Sequence, residues 1–282
     1  MSYALPVVVA LVLWWLTTVL LLRRLQLPDE TFSRTLVAVS VLLGAGLFGF
    51  AISLGDATPR GAYIAFASAL TVWGWHEAMY FLGYLSGPRP GPCPYDARLS
   101  MRFRFGVQAS LYHEIAVILT GVAMLWLSRD AANTVAAQAF TVLWLMRWSS
   151  KLNIFFGVSN LHEEFWPRHL HYLSSYVTHA RGNWVFPFSM LLALALAVWV
   201  SQPLRLALIE PFDITACALV LTLLALACLE HVLLLLPVPD KWLWQWGLIE
   251  QAPAARVSRR ASLSRDGQTP IIGGHEKPSG GV

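Results

Sequence analysis

The sequence predicts an all-α, polytopic membrane helix bundle with about seven transmembrane helices. Three observations lead there. Hydrophobic residues make up 56% of the 282-residue chain and charged ones only 13%, against roughly 25% charged in a soluble domain. Apolar stretches near the roughly 20 residues needed to cross a hydrocarbon core recur along the chain. They cover about 3–23, 35–54, 61–85, 105–127, 132–155, 184–201 and 213–236. Basic residues then fall on alternate connections. Arg23, Arg24, Arg34, Arg89, Arg98, Arg102, Arg104, Arg168 and Arg181 share one side, with Lys241, Arg256, Arg259, Arg260, Arg265 and Lys277 in the tail, while Arg60, Arg129 and Arg205 lie opposite. By the positive-inside rule the C-terminus is cytoplasmic and the N-terminus periplasmic, which requires an odd number of crossings.

The first stretch reads as a retained helix. Its apolar run from Ala4 to Leu22 is longer than a signal-peptide core, and Arg23-Arg24 follows it rather than precedes it. The second contains Gly44-Ala45-Gly46-Leu47-Phe48-Gly49. That string matches a dinucleotide fingerprint, but it has no preceding strand to place phosphate at a helix start. Close helix packing through Ala45 and Gly49 is the better account. After the third stretch, GPRPGPCPYD is too rich in proline and glycine for helix.

The region 156–183 is the most polar outside the tail and predicts an amphipathic surface segment. Phe165, Trp166, Leu170, Leu173 and Tyr176 form its apolar side. Beyond the seventh stretch, Pro237 and Pro239 stop the helix, and the tryptophans within Trp242–Trp246 read as an interfacial collar. The chain therefore divides into an integral membrane domain, 1–250, and a disordered cytoplasmic tail, 251–282. The formal charge of +4 sits in membrane-flanking segments. It suits orientation and anionic lipid, with no nucleic-acid partner. Cys93, Cys217 and Cys228 form no disulfide framework or paired-cysteine metal motif.

Three of the stretches carry adjacent histidine and glutamate: His76-Glu77, His113-Glu114 and Glu230-His231. Such side chains are expensive in hydrocarbon and usually face a bundle interior or cavity. Counted along the helices, all three pairs fall roughly 8–14 Å below the cytoplasmic surface, predicting one pocket open toward the cytoplasm. Histidine and glutamate together suit zinc or non-haem iron, and helix bundles build di-iron sites from them. Histidine alone could ligate the metal of a haem or chlorophyll. Each pair could equally satisfy itself or a neighbouring helix by hydrogen bonding. His162, Glu163, Glu164, His169 and His171 add potential ligands in the long loop, but without the spacing of histidine-box hydroxylases. Arg147 and Lys151, one turn apart, could snorkel to lipid phosphate, pair with Glu163 or Glu164, or hold a substrate carboxylate.

At WGWHEAMYFLGYLSGPRPGPCP, at YHE, and above all at KLNIFFGVSNLHEEFWPRHLHYLSSY, the chain resembles the PuhE family. These are photosynthetic complex assembly proteins of purple phototrophic bacteria. The likeness covers roughly residues 1–250. It implies a bacterial inner-membrane protein encoded with the genes of the reaction-centre H subunit. Such a protein would support assembly of the reaction centre and core antenna, or adjust bacteriochlorophyll supply. Its partners would be subunits of those complexes or pigment-synthesis enzymes. The resemblance carries over no catalytic residues.

Three function classes follow. In the first, His76, Glu77, His113, Glu114, Glu230 and His231, with Arg147 and Lys151 at the rim, hold a bacteriochlorophyll-type tetrapyrrole. In the second, the same His/Glu residues and those of the long loop hold a transition metal. That chain would be a di-iron-like enzyme modifying a tetrapyrrole or lipid. In the third, the chain is a scaffold without a small ligand.

Overall fold

The computed structural model describes residues 3–27, 29–161, 166–205 and 209–236. Each expected apolar stretch falls on one α-helix: α1 (Ala4–Leu25), α2 (Phe32–Ser53), α3 (Pro59–Phe81), α4 (Leu99–Ser128), α5 (Val135–Phe156), α6 (Val185–Val200) and α7 (Pro211–Leu235). The only β pairing among the described residues is the isolated bridge Val158–His179. These helices belong to a compact unit spanning Met1–Leu248. The expected tail 251–282 and tryptophan collar lie outside the described residues.

Four helices, α1, α2, α4 and α7, are both long and apolar enough to cross a membrane. Helix α6 is apolar but only 16 residues long. Helices α3 and α5 are the inner pair, with about half of each buried. A helix sheathed by its neighbours need not be uniformly lipophilic, and these two carry His76, Glu77, Arg147 and Lys151. The core forms where Ala62, Ala65, Phe66, Ala69 and Val72 of α3 meet Ala136, Ala139, Phe140 and Val142 of α5, and Leu219, Val220 and Leu223 of α7.

Helix α2 lies on α3 through glycine, but not with the expected register. Ala45 is exposed, and the contact runs through Gly46 and Gly49. A Cβ at Gly46 would stand 3.1 Å from Thr71 Cγ2, and one at Gly49 would stand 2.4 Å from Ser68 Oγ. The helical turn places residues three apart on this side, and the small side chains of α3 fit between them.

The proline- and glycine-rich connection after α3 returns to the bundle. The Ser86 carbonyl accepts the backbone N–H groups of Tyr112 (3.0 Å) and His113 (3.1 Å), in the middle of α4. Next to it, a Cβ on Gly87 would stand 2.0 Å from the Gln108 carbonyl oxygen. Only glycine brings the backbone this close.

The long connection 157–183 closes the same end of the bundle. Gly157 adopts φ +144° and packs so tightly that a Cβ would meet Ala180 Cβ at 2.8 Å. Asn183 donates to the Gly157 carbonyl (2.6 Å) and accepts from the N–H groups of Val185 and Phe186, capping α6. Backbone N–H groups of Ser159 and Asn160 donate to the Leu234 carbonyl, while their side chains donate to the carbonyls of Leu235 and Leu233. The end of α7 therefore has its otherwise orphaned carbonyls satisfied by another part of the chain.

Within that connection, Arg168–Tyr176 is a 3₁₀ segment. The segment is amphipathic as expected, and its apolar side is turned toward the bundle: Leu170 and Tyr176 are buried, whereas Arg168, His169 and His171 are exposed. Arg102 of α4 fastens it by donating to the carbonyls of Tyr176 and Val177 (both 2.7 Å) and to Thr178 Oγ1 (2.8 Å).

Gly87→Ala forces the connection off α4, costing about 1–3 kcal/mol as overpacking. It lowers the thermal midpoint of the detergent-solubilised protein. Gly44→Ala, whose Cβ would meet nothing within 4 Å, leaves the midpoint unchanged or raises it.

Candidate functional site

Helices α3, α4 and α5 bring their polar residues together at the end closed by the long connection. Glu77 on α3 accepts from Arg147 on α5 at 2.9 Å. Glu114 on α4 accepts from Lys151, one turn further along α5, and from Trp148 Nε1 between them. Ser110, one turn before Glu114, donates to it at 3.4 Å. The spacing of four residues on α5 thus serves two carboxylates on two different helices. Aromatic faces complete the environment. Arg147 lies over the Phe81 ring (5.8 Å) and Lys151 over the Tyr80 ring (5.1 Å).

Behind these ion pairs lie two histidines. His113 Nε2 is 3.9 Å from Glu77 Oε1, and its ring is 6.4 Å from that of His76. His76 Nε2 shares a 3.0 Å hydrogen bond with Thr120 Oγ1 of α4. His231 is engaged elsewhere. Its Nδ1 donates to the Ala227 carbonyl at 2.8 Å, and its Nε2 shares a 3.0 Å hydrogen bond with Ser149 Oγ. A carbonyl can only accept, so the neutral ring carries its proton on Nδ1 and accepts from Ser149. Both nitrogens are spent. Glu230 is exposed, within electrostatic reach of Arg147.

In front of the ion pairs is a cavity of about 650 Å³, between α4, α5 and the 3₁₀ segment. That is within the usual range for small-molecule sites. Glu114, Arg147, Lys151 and Ser110 form its polar wall. Tyr80, Phe81, Phe103, Trp148, Phe155, Trp166 and Tyr176 supply aromatic walls, and Leu170 and Leu173 of the 3₁₀ segment belong to its roof.

The single pocket expected from the three His/Glu pairs is therefore corrected. Of the six residues, Glu114 alone lines the cavity. His76, Glu77 and His113 stand behind it, His231 is turned to Ser149, and Glu230 is exposed. Neighbours on a helix lie 100° apart, so His113 is carried off the side on which Glu114 meets the cavity, and both members of the other two pairs lie away from it. Arg147 and Lys151 do reach the cavity, but their partners are Glu77 and Glu114.

His169 lies in the long connection with its ring 6.3 Å from Phe32, and His171 donates from Nε2 to the Trp166 carbonyl. His162, Glu163 and Glu164 lie outside the described residues. Among the described residues, no three His, Cys, Asp or Glu side chains converge as a metal-holding group. No histidine among the described residues lines the cavity, so a macrocycle there would not receive an axial ligand from His76, His113 or His231. Trp148, Ser110 and Thr120 were not singled out from the sequence. Trp148 adjoins Arg147, and Ser110 precedes Glu114 by four residues, so helical spacing offered a signal for both. Ser86 acts through its backbone carbonyl and offered none.

The fold and this polar layer define a multi-pass helical membrane protein with paired internal charges beside an aromatic-walled cavity. The chain belongs to the family of proteins of unknown function DUF3623, whose match spans residues 1–255. It is 36% identical over 241 residues to an uncharacterised 30.4 kDa protein in the puhA 5′ region of Rhodobacter capsulatus. That alignment covers 83% of this chain and 87% of the relative. No solved structure matches the chain.

Glu77→Gln leaves Arg147 without its carboxylate in a largely apolar interior. The loss is about 3 kcal/mol, at the low end for a broken buried pair because the Arg147 side chain retains 31% exposure. Glu77→Gln/Arg147→Met removes both charges and is less destabilised than Glu77→Gln alone. Chemical denaturation of both variants in one detergent checks the order.

Proposed function

We propose that this chain is a PuhE-type assembly factor for the photosynthetic reaction centre and core antenna. It sits in the bacterial inner membrane with seven crossings, N-terminus periplasmic, C-terminus and tail 251–282 cytoplasmic. It holds or passes an amphiphile of bacteriochlorophyll type while those complexes are built.

The process is supported by the relative's place beside puhA, the gene of the reaction-centre H subunit. The ligand-handling role is carried by one observation, the cavity. It is lined mostly by apolar and aromatic side chains, so it suits a flat hydrophobic ring system. Lys151 and Arg147 concentrate hydrogen-bond donors on one wall, where polar edge groups of such a molecule would lie. Binding through shape and edge contacts needs no histidine at the central metal. It also allows release, since the ring's metal stays free for the complex that receives it.

In Rhodobacter capsulatus lacking its relative, this chain restores reaction-centre and core-antenna absorption. Leu111→Trp, which fills the cavity, accumulates to the same level in the membrane but restores less than half. Full restoration by Leu111→Trp refutes the cavity's role. Unchanged complexes in the strain lacking the relative refute the assembly role.

A further inference from the structure

The charges around the cavity select its occupant. Arg147 and Lys151 are matched by Glu77 and Glu114, so the four formal charges sum to zero. Glu230 is a further carboxyl within reach of Arg147. An anion entering here would find no uncompensated cation, and burying it in a low-dielectric site is costly. The acceptor atoms of Glu114 are already taken by Lys151, Trp148 and Ser110. Donors remain: a guanidinium carries five N–H groups, of which Glu77 takes one, and a lysine ammonium carries three, of which Glu114 takes one. The wall therefore asks for a neutral hydrogen-bond acceptor.

The entrance is indicated by exposure. Val107 (42%) and Ile115 (45%) on α4, and Trp148 (38%) and Leu152 (37%) on α5, line the cavity and are exposed along the outer side of the two helices. Over the 3₁₀ segment, by contrast, Leu170 and Tyr176 are buried, and Arg102 fastens the chain from Tyr176 to Thr178. The way in runs through the apolar side.

We infer that the cavity is loaded from the bilayer, between α4 and α5, by a neutral amphiphile whose ester or ketone carbonyl accepts hydrogen bonds from Lys151 and Arg147. The apolar remainder of the molecule lies along Val107, Ile115 and Leu152 toward the lipid. This rests on the cavity being a binding site, as proposed above, and specifies what that site takes. An esterified pigment and an acyl ester lipid share the required chemistry.

The test uses the full chain in detergent and the fluorescence of Trp148, isolated by subtracting Trp148→Phe. Methyl 9,10-dibromostearate quenches this component at a concentration at least roughly tenfold lower than the free acid, 9,10-dibromostearate. Equal or stronger quenching by the acid overturns the selectivity while leaving the cavity reading intact. If neither probe quenches the Trp148 component, and Leu111→Trp also leaves complex assembly unchanged, the cavity reading itself falls.

A second pair, bacteriochlorophyll a and its free acid bacteriochlorophyllide a, distinguishes the sources. Preference for the ester in this pair, at lower concentration than for the stearate ester, supports a pigment occupant. The reverse order supports an acyl lipid. With ester delivered from vesicles to reconstituted protein, Val107→Phe/Ile115→Phe slows quenching at least roughly tenfold. An unchanged rate overturns lateral entry.

Discussion

The ion pair between Glu77 and Arg147 is the constraint around which the bundle is arranged. Neither charge is tolerable alone among apolar helices, and each is acceptable only because the other is within hydrogen-bonding distance. Satisfying that condition holds α3 against α5, the two helices that supply much of the core. It also sets the rotation of α5, which carries Lys151 one turn on toward Glu114 and so ties in α4. A hydrophobic interface tolerates sliding far better than a pair of opposite charges does. The charged layer thereby gives the helices a register that the apolar contacts would leave loose.

Around this layer the connections act as structural parts. The Ser86 carbonyl meets α4 at Tyr112 and His113, just before Glu114, anchoring the helix at the level of its functional side chains. The long connection joins α5 to α6 and covers the cavity, with Arg102 holding it to α4. Polar backbone in a membrane protein must find partners within the protein wherever water is excluded. Here the caps on α6 and α7 meet that requirement with side chains from Asn183, Ser159 and Asn160.

Helix positions were legible in the sequence because lipid imposes a length and an apolar composition that a single chain displays directly. The seven helices lie close to the predicted stretches, although length and composition together mark only four as clear crossing candidates. The inner helices α3 and α5 are less apolar because protein, rather than lipid, surrounds them. The importance of the His/Glu pairs as polar residues in apolar helices was legible too, but their directions were not. Which of two adjacent side chains faces a cavity depends on helix rotation, and here rotation follows from partners on other helices. Ala45 was misread for the same reason, since it shares the small-residue pattern of α2 but lies off the side that meets α3. The loop histidines looked like ligands by composition, whereas His171 is held by a backbone carbonyl. No pattern of side chains could have announced the backbone contact at Ser86.

The capping of α7 by Ser159 and Asn160 also bears on the order in which the protein is completed. Those two residues are synthesised more than seventy positions before the carbonyls they receive. Until α7 is in place, the segment that ends at Asn160 lacks the acceptors it meets in the finished bundle, and α7 in turn has no other described partner for its last carbonyls. The closing contact forms only when α7 has emerged. A chain cut short before that point lacks the carbonyls that Ser159 and Asn160 meet, so unfinished molecules differ chemically from finished ones at a defined place.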